Sequence, residues 1–277
     1  MFYKFYKPSN VYSNQEIRKL GKKINAKKIG HSGILDQLAS GLMIVATDSD
    51  TRLLEYLSDK NKAYIVKARF NYSSNTLDTM GEIKKENFQL IFLEDLIKAV
   101  DTVSKRKTQI PPLYSAKKIN GKRAYNLARN KQTFELKPQN IEVFDYKILD
   151  FNFEKQEYTI YFYVSEGTYI RSLLSDIAKE LNNASVMFEL KRTQVGKIKL
   201  GTLKASEFQS LEIDKLFEIP YFFLNLHQNQ QLKYGRNFKF KHIDSCIMFL
   251  NSNKEVVCVG EVKQEVFYPR KIFLERL

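Results

Sequence analysis

Residues 158–181 constrain this chain most. In Tyr158 to Ser165, YTIYFYVS, the side chains of Tyr158, Ile160, Phe162 and Val164 fall on one face, the period of a strand with one buried side. The strand ends at Glu166-Gly167-Thr168-Tyr169. Ile170, Leu173, Leu174, Ile177, Ala178 and Leu181 then form a helical apolar stripe. The strand–turn–helix join sets Tyr169 and Arg171 at the helix start, beside the end of a central strand. Arg171 is flanked by apolar positions, which argues against a plain surface arginine.

The rest of the first two thirds alternates in the same way. Phe2, Tyr3, Phe5 and Tyr6 make a short strand before Lys7-Pro8. Ser13 and Glu16 fit a capping box, and Ile17, Leu20 and Ile24 recur at helical spacing. Leu42 to Ala46 is a buried strand and Arg52 to Leu57 a short helix. Ala63 to Phe70, AYIVKARF, is a strand with Tyr64, Val66, Ala68 and Phe70 on one face.

Between the first helix and Leu42 lies Gly30 to Gly41, GHSGILDQLASG, with a single acid, Asp36, among glycines and small or aliphatic residues. Glycines at this spacing let a backbone turn tightly or a ligand approach closely. A lone carboxylate held in a packed loop can be a nucleophile. Most loop aspartates, however, only cap a helix or turn.

The formal net charge is +14, which points to a polyanionic partner or to compositional bias toward lysine. Clustering separates the two. Residues 102–134 carry Lys105, Arg106, Lys107, Lys117, Lys118, Lys122, Arg123, Arg129 and Lys131 and no acid, with Tyr114 and Tyr125 interleaved. Cations neutralise phosphates and aromatics stack on unpaired bases, so the run reads as an RNA-contacting segment. Within it Pro111-Pro112 makes an extended entry, Asn120-Gly121 a tight turn and Ala124 to Arg129 a helix. Lys22, Lys23, Lys27 and Lys28 fit either phosphate contact or a solvated helix face.

At 277 residues the chain has room for about two domains. No apolar run of about 18 residues implies a membrane span, and the N-terminus lacks a signal peptide's apolar centre. Cys246 and Cys258 read as reduced buried thiols of a cytosolic protein, because no histidine stands at metal-ligand spacing from them. Neither a phosphate-binding glycine loop nor a dinucleotide fingerprint occurs. Ser206 to Pro220 reads as a linker with a short helix. Residues 221–277 form a smaller unit with strands at Ile247 to Leu250, Val256 to Val259 and Lys271 to Leu274, and a polar turn at Asn251 to Lys254.

Several separate blocks, in the family's order, carry a resemblance. GHSGILDQLASG is similar to the GHxGxLDPxAxG signature of the TruB family of pseudouridine synthases, with Ser32 for the usual Thr and Gln37 for the usual Pro. KPSNVYS resembles the family's KPxGxxS turn, with Asn10 for Gly, and Asn is the next-best residue for a left-handed conformation. Lys62 and Tyr64 fit a KxY pattern, and NTLDTMG (75–81) resembles a TxTxDxxG loop. Gln109 to Arg129 is similar to PPxYSAxKxxGxxxYxxAR. GTYIRSLLSDIAKEL and FELKRT (188–193) resemble GTYIRxLxxDLGxxL and an LxRT-like segment.

The resemblance implies an α+β pseudouridine synthase fold. That fold has a mixed, largely antiparallel sheet with flanking helices, a thumb-like insertion over about 102–134, and a small C-terminal PUA-like β domain. It divides the chain into a catalytic domain over 1–205, a linker over 206–220 and the β domain over 221–277. It implies that a uridine in the tRNA T-loop, position 55, becomes pseudouridine in the cytoplasm, with no cofactor, no metal and no obligate protein partner. Asp36 is then the nucleophile, Arg171 its partner, and Tyr64 the residue stacked on the uracil. Tyr169 and Leu190 contact the uridine, and His31 fills the space that the base leaves. Tyr114, Lys118, Lys122, Arg129 and Arg192 meet the RNA. A tRNA-binding or RNA-folding protein without catalysis is the alternative reading.

Overall fold

A computed structural model describes residues 1–119, 121–130 and 132–277. Asn120 of the expected turn and Lys131 of the basic run lie outside the described residues. The chain divides into two units: Met1–Glu55 with Asp59–Glu212, and Tyr56–Ser58 with Ile213–Leu277.

The larger unit is built on one nine-stranded sheet. Its strands are β1 (Phe2–Lys7), β2 (Ile29–His31), β3 (Ser40–Thr47), β4 (Lys62–Phe70), β5 (Val143–Asn152), β6 (Glu157–Val164), β7 (Ser185–Val195), β8 (Ile198–Lys199) and β9 (Phe208–Leu211). The order is β5-β6-β4-β7-β3-β1-β9, with β2 on β3 and β8 on β7. Every pairing is antiparallel except β7 with β3, where Lys191 faces Ser40 and Arg192 faces Gly41. This is the mixed, largely antiparallel sheet expected from the sequence.

Helices α1 (Ser13–Lys23), α2 (Leu93–Ser104), α3 (Ala124–Arg129) and α4 (Ile170–Glu180) complete the unit. The alternating residues of β4 and β6 are buried, together with Ile170, Leu173, Leu174, Ile177 and Ala178 of α4. These side chains share one core with Val100 and Val103 of α2 and with Ile17 and Leu20 of α1. Burying such aliphatic and aromatic side chains contributes roughly 1.5–3 kcal/mol each, which is what fixes the helices to the sheet. The ends of the central strands are thereby held rigidly, and the Asp36 loop and the start of α4 adjoin them.

Two expectations change. Ser13 and Glu16 form no capping box: the N-cap of α1 is Tyr12 and makes no side-chain capping bond. The Ser13 hydroxyl is taken instead by Leu35, and Glu16 pairs with Lys19. The linker expected over 206–220 is shorter, because Phe208–Leu211 pairs with β1 as an edge strand and the larger unit runs to Glu212. Asn10 adopts φ 62°, the left-handed conformation that its turn requires.

The smaller unit is a five-stranded sheet of β10 (Tyr221–Phe223), β11 (Phe238–Lys239), β12 (Ser245–Leu250), β13 (Val256–Lys263) and β14 (Val266–Ile272), in the order β10-β12-β13-β14-β11. A short helix, α5 (Leu226–Lys233), has a complete capping box at Asn225 and Gln228. The last strand was expected at Lys271 to Leu274; it starts earlier, and Leu274 begins a 3-10 turn. Cys258 is buried and burial pushes its thiol up to about 12, which leaves it a packing residue. Among the described residues no helix is long and apolar enough to cross a membrane.

Candidate active site

The loop between β2 and β3 presents Asp36, half-buried, and four separate anchors hold it. Ala39 N donates to Asp36 O (3.1 Å), closing a turn over Asp36–Ala39 with Gln37 at its second position. The buried Lys7 ammonium donates to Pro8 O (2.8 Å), Gln37 O (3.3 Å) and Ala39 O. Burial pulls the Lys7 ammonium down to about 8, against the opposing pull of Asp36 and Glu16. Ser13 Oγ donates to Leu35 O (2.8 Å) and accepts from Leu35 N (3.1 Å). Arg192 donates from Nε to Leu42 O (2.6 Å) and from Nη2 to Gly33 O (3.0 Å). Gly41 must be glycine here. Its φ is 109°, and a Cβ would lie 2.3 Å from Arg192 O.

Asp36 faces Arg171, which the turn after β6 sets in the first turn of α4. Arg171 Nε donates to Asp36 Oδ2 (2.9 Å) and Nη2 to Asp36 Oδ1 (3.1 Å), a bidentate fork. Two further donors are used as well: Nη1 on Thr76 O (2.9 Å) and Nη2 on Tyr114 O (3.0 Å). Arg171 therefore ties the Asp36 loop, the 75–81 loop and the basic insertion to one helix end. Asp78 lies 3.9 Å from Arg171 Nε, buried and held by the Thr76 hydroxyl (2.6 Å) and Met80 N (3.0 Å). Gln109 fixes the start of α4 in two places, accepting from Tyr169 N (2.9 Å) and donating to Tyr169 O (3.1 Å).

Two hollows meet at this pair. A recess of about 260 Å³ is lined by Asp36, Lys62, Tyr64, Tyr169, Leu190 and Arg171, among others. Tyr64 is buried, and burial pushes its phenol up more than the Arg192 guanidinium at its hydroxyl pulls it down, so the proton stays on. Burial likewise raises the Tyr169 phenol. Lys62, one strand step pair from Tyr64, is buried and pulled down to about 8 by burial and then by Arg192. A wider cleft of about 1010 Å³ has Asp36 and Arg171 in its wall with Asn14, Tyr114, Tyr125 and Arg129. The recess has apolar and charged side chains in its wall with the Asp36 carboxylate among them, and the wider cleft carries Tyr12, Tyr114, Tyr125 and Arg129. Such a pair of hollows can hold one planar base apart from the strand that carries it.

Most residues expected at the site converge there: Asp36, Tyr64, Tyr169, Arg171 and Leu190 in the recess, Tyr114 and Arg129 in the cleft. His31 ends β2 beside the loop. Lys118 and Lys122 are exposed on a two-residue hairpin, Lys118–Ile119 with Lys122–Arg123, ahead of α3. Arg129 is exposed with its guanidinium over the Tyr125 ring, 5.7 Å from the centroid. The phosphate contact expected of Arg192 is replaced by a structural one, because the side chain is 1% exposed and holds the Asp36 loop. The basic run also divides. Lys105, Arg106 and Lys107 are neutralised by Asp101, Glu180 and Glu142, acids outside the run, so its cationic surface begins nearer Lys118. Sequence reasoning gave no site role to Lys7, Ser13, Asp78 or Gln109. Motif membership marked Lys7, Ser13 and Asp78, Ser13 also read as half of a capping box, and Gln109 stood only at the edge of the segment over 109–129.

Comparison with known proteins gives the family. The family model for "TruB family pseudouridylate synthase (N terminal domain)" matches residues 21–170. A protein called tRNA pseudouridine synthase B from Mesomycoplasma hyopneumoniae is 35% identical over 273 residues, 98% of this chain and 82% of that one. One of the same name from Ureaplasma urealyticum is 38% identical over 213 residues, 76% of this chain and 90% of that one. In fold, a chain in the crystal structure of a Cbf5–Nop10–Gar1 complex superposes with a TM-score of 0.69 at 18% identity, covering 99% of this chain and 86% of that one. With a matched family domain over more than half its length, and relatives above 30% identity spanning nearly all of it, this chain belongs to the TruB family of pseudouridylate synthases.

Proposed function

We propose that this enzyme converts a uridine of the tRNA T-loop, at position 55, to pseudouridine, with Asp36 as nucleophile and without a nucleotide or metal cofactor. The observation that carries the reading is the Asp36 carboxylate aimed by the Arg171 fork into a recess with Tyr64, Tyr169 and Leu190. The names of the 35–38% identical relatives support tRNA as the RNA.

The reaction is an isomerisation. The C1′–N1 bond breaks, the uracil turns, C5 bonds to C1′, and the C5 proton leaves while N1 gains one. No group is added, so no energy-rich donor is required. Asp36 attacks or assists at the departing sugar–base junction, where Arg171 holds its two oxygens in a fixed plane. Tyr64 covers one face of the base, and its buried, protonated phenol is positioned to give a proton. Taking the base out of the loop costs a few kcal/mol. Tyr114, Tyr125, Lys118, Lys122 and Arg129 offset that cost through stacking and phosphate contact. His31 fills the vacated space in the loop. The C-terminal sheet unit serves as a PUA-like module.

The test is incubation of the purified protein with an unmodified tRNA transcript and no added cofactor, mapped by carbodiimide-blocked primer extension beside Asp36→Ala. Pseudouridine at one T-loop position, absent with the variant, is the expected result. Tight, salt-sensitive binding by both proteins with no product would replace the enzyme reading with a binding one.

A further inference from the structure

The first turn of α1 reaches the loop on both sides of Gly33. Ser13 holds Leu35, next to the nucleophile. Its neighbour Asn14 meets His31: Oδ1 lies 3.3 Å from Nε2. The other ring nitrogen, Nδ1, accepts from Gly33 N at 3.2 Å. A backbone N–H can only donate, so Nδ1 carries the lone pair and the ring proton resides on Nε2. Nε2–H then donates to the Asn14 amide oxygen. The Gly33 peptide is itself held, since its carbonyl accepts from Arg192 on β7.

These contacts also disfavour a charged ring. A proton on Nδ1 would face the Gly33 N–H, donor against donor. Burial pulls the His31 imidazole below its ordinary value, and Arg192, the charged group that acts on it, pulls the same way. An orientation fixed at both nitrogens leaves the ring a flat, uncharged plate beside Asn14, which itself lines the cleft.

We propose that Asn14 is a positioning residue that, with the Gly33 N–H, locks His31 as the neutral Nε2–H tautomer in one ring orientation, ready to enter the RNA where the target base departs. The lock stands on the geometry alone; its use in the reaction rests on the function proposed above. Sequence gives Asn14 no such part, because only the fold brings the start of α1 to the end of β2.

Long-range 15N–1H spectra of the imidazoles test the lock without any turnover. The chain has three histidines, so His31→Gln assigns the signal of His31. The parent is expected to show the Nε2–H pattern at His31, with a pKa below the usual 6.5. Asn14→Ala should free Nε2 and weaken the preference for the Nε2–H form, which the Gly33 N–H then holds alone. Asn14→Asp, a carboxylate against Nε2–H, should raise the His31 pKa above the parent's. An Nδ1–H pattern in the parent, or an Asn14→Ala spectrum identical to the parent's, overturns the lock. Single-turnover kinetics on tRNA test its use. Asn14→Ala should lower the single-turnover rate about five- to tenfold, the worth of about one hydrogen bond. Asn14→Asp should lose activity as pH falls through the raised His31 pKa, where the parent stays flat, and Asn14→Ser, still an acceptor, should recover most of the rate. Altered spectra with parental kinetics in all three variants would confine Asn14 to structure and overturn its part in the reaction. A parent that binds tRNA but forms no pseudouridine, with the Nε2–H spectrum intact, would reject the enzyme reading and leave the lock standing.

Discussion

Replacing Arg171 by lysine keeps the charge and removes the fork, and so isolates geometry. Arg171 makes two bonds to Asp36 and one each to Thr76 O and Tyr114 O, and only 5% of its side chain is exposed. A lysine Nζ can reach the carboxylate or the carbonyls but cannot span both. Hydrogen bonds to charged groups contribute about 1.5–3 kcal/mol each, so losing alignment of Asp36 should raise the barrier by about 3 kcal/mol. That is roughly a 150-fold loss in the single-turnover rate. The unmet Thr76 and Tyr114 carbonyls should cost a further 2 kcal/mol or so of stability. For a unit of this size that lowers the melting midpoint by about 4–8 °C. Affinity for tRNA should change little, because the guanidinium is covered. Tritium release from tRNA labelled at uridine C5 reads the rate, and scanning calorimetry reads the fold. A lysine variant within threefold of the parent rate and with the parent's melting point would refute the claim that the fork aims the carboxylate. Arg171→Met, which leaves Asp36 and Asp78 without the cation, should be worse on both counts, by roughly 3–5 kcal/mol in stability.

Tyr64→Phe should fold as the parent does and lower kcat about 10²–10⁴-fold with KM nearly unchanged if the phenol moves a proton; a Phe variant as fast as the parent would leave Tyr64 a stacking residue alone. Gln37 occupies the second position of the Asp36–Ala39 turn, where proline's fixed φ is favoured. Gln37→Pro should therefore raise stability by about 0.4–1 kcal/mol in urea titrations, and a loss of stability would show that the turn rejects the ring. Lys7 titrates near 10.5 in the unfolded chain and at about 8 in the fold, so between these values the unfolded chain holds a proton that the folded one has released. Its contribution to stability accordingly rises with pH across that window and is most unfavourable below pH 8. Urea midpoints measured from pH 7.5 to 10 should rise more steeply for the parent than for Lys7→Met, and parallel curves would contradict the assignment. Gly41→Ala should fail to accumulate as folded protein, because its Cβ would fall 2.3 Å from the Arg192 carbonyl; a soluble variant with parental melting would show that the β3–β7 pairing can shift.

The strands and helices were legible because their cause is local. Period-two burial in 63–70 and 158–165 and the stripe of 170–181 follow from side-chain geometry within each segment, and the structure places those side chains in one core. Asp36, Arg171 and Tyr64 were legible through long motifs, which report what a site contains without showing how it is joined. The joining is tertiary. Ser13 reads as half of a capping box until the fold brings Leu35 within 2.8 Å of its hydroxyl. Arg192 reads as a phosphate contact until the parallel pairing of β7 with β3 buries it beneath the loop it holds. Lys105, Arg106 and Lys107 read as RNA-binding until acids 4 to 74 residues away neutralise them. The sequence by itself determined which elements form and which residue types the chemistry uses, because propensity and motif spacing act over a few residues. Which donors meet which acceptors was decided only by the tertiary structure, because hydrogen bonds and charges act over a few ångströms of space, whatever their separation along the chain.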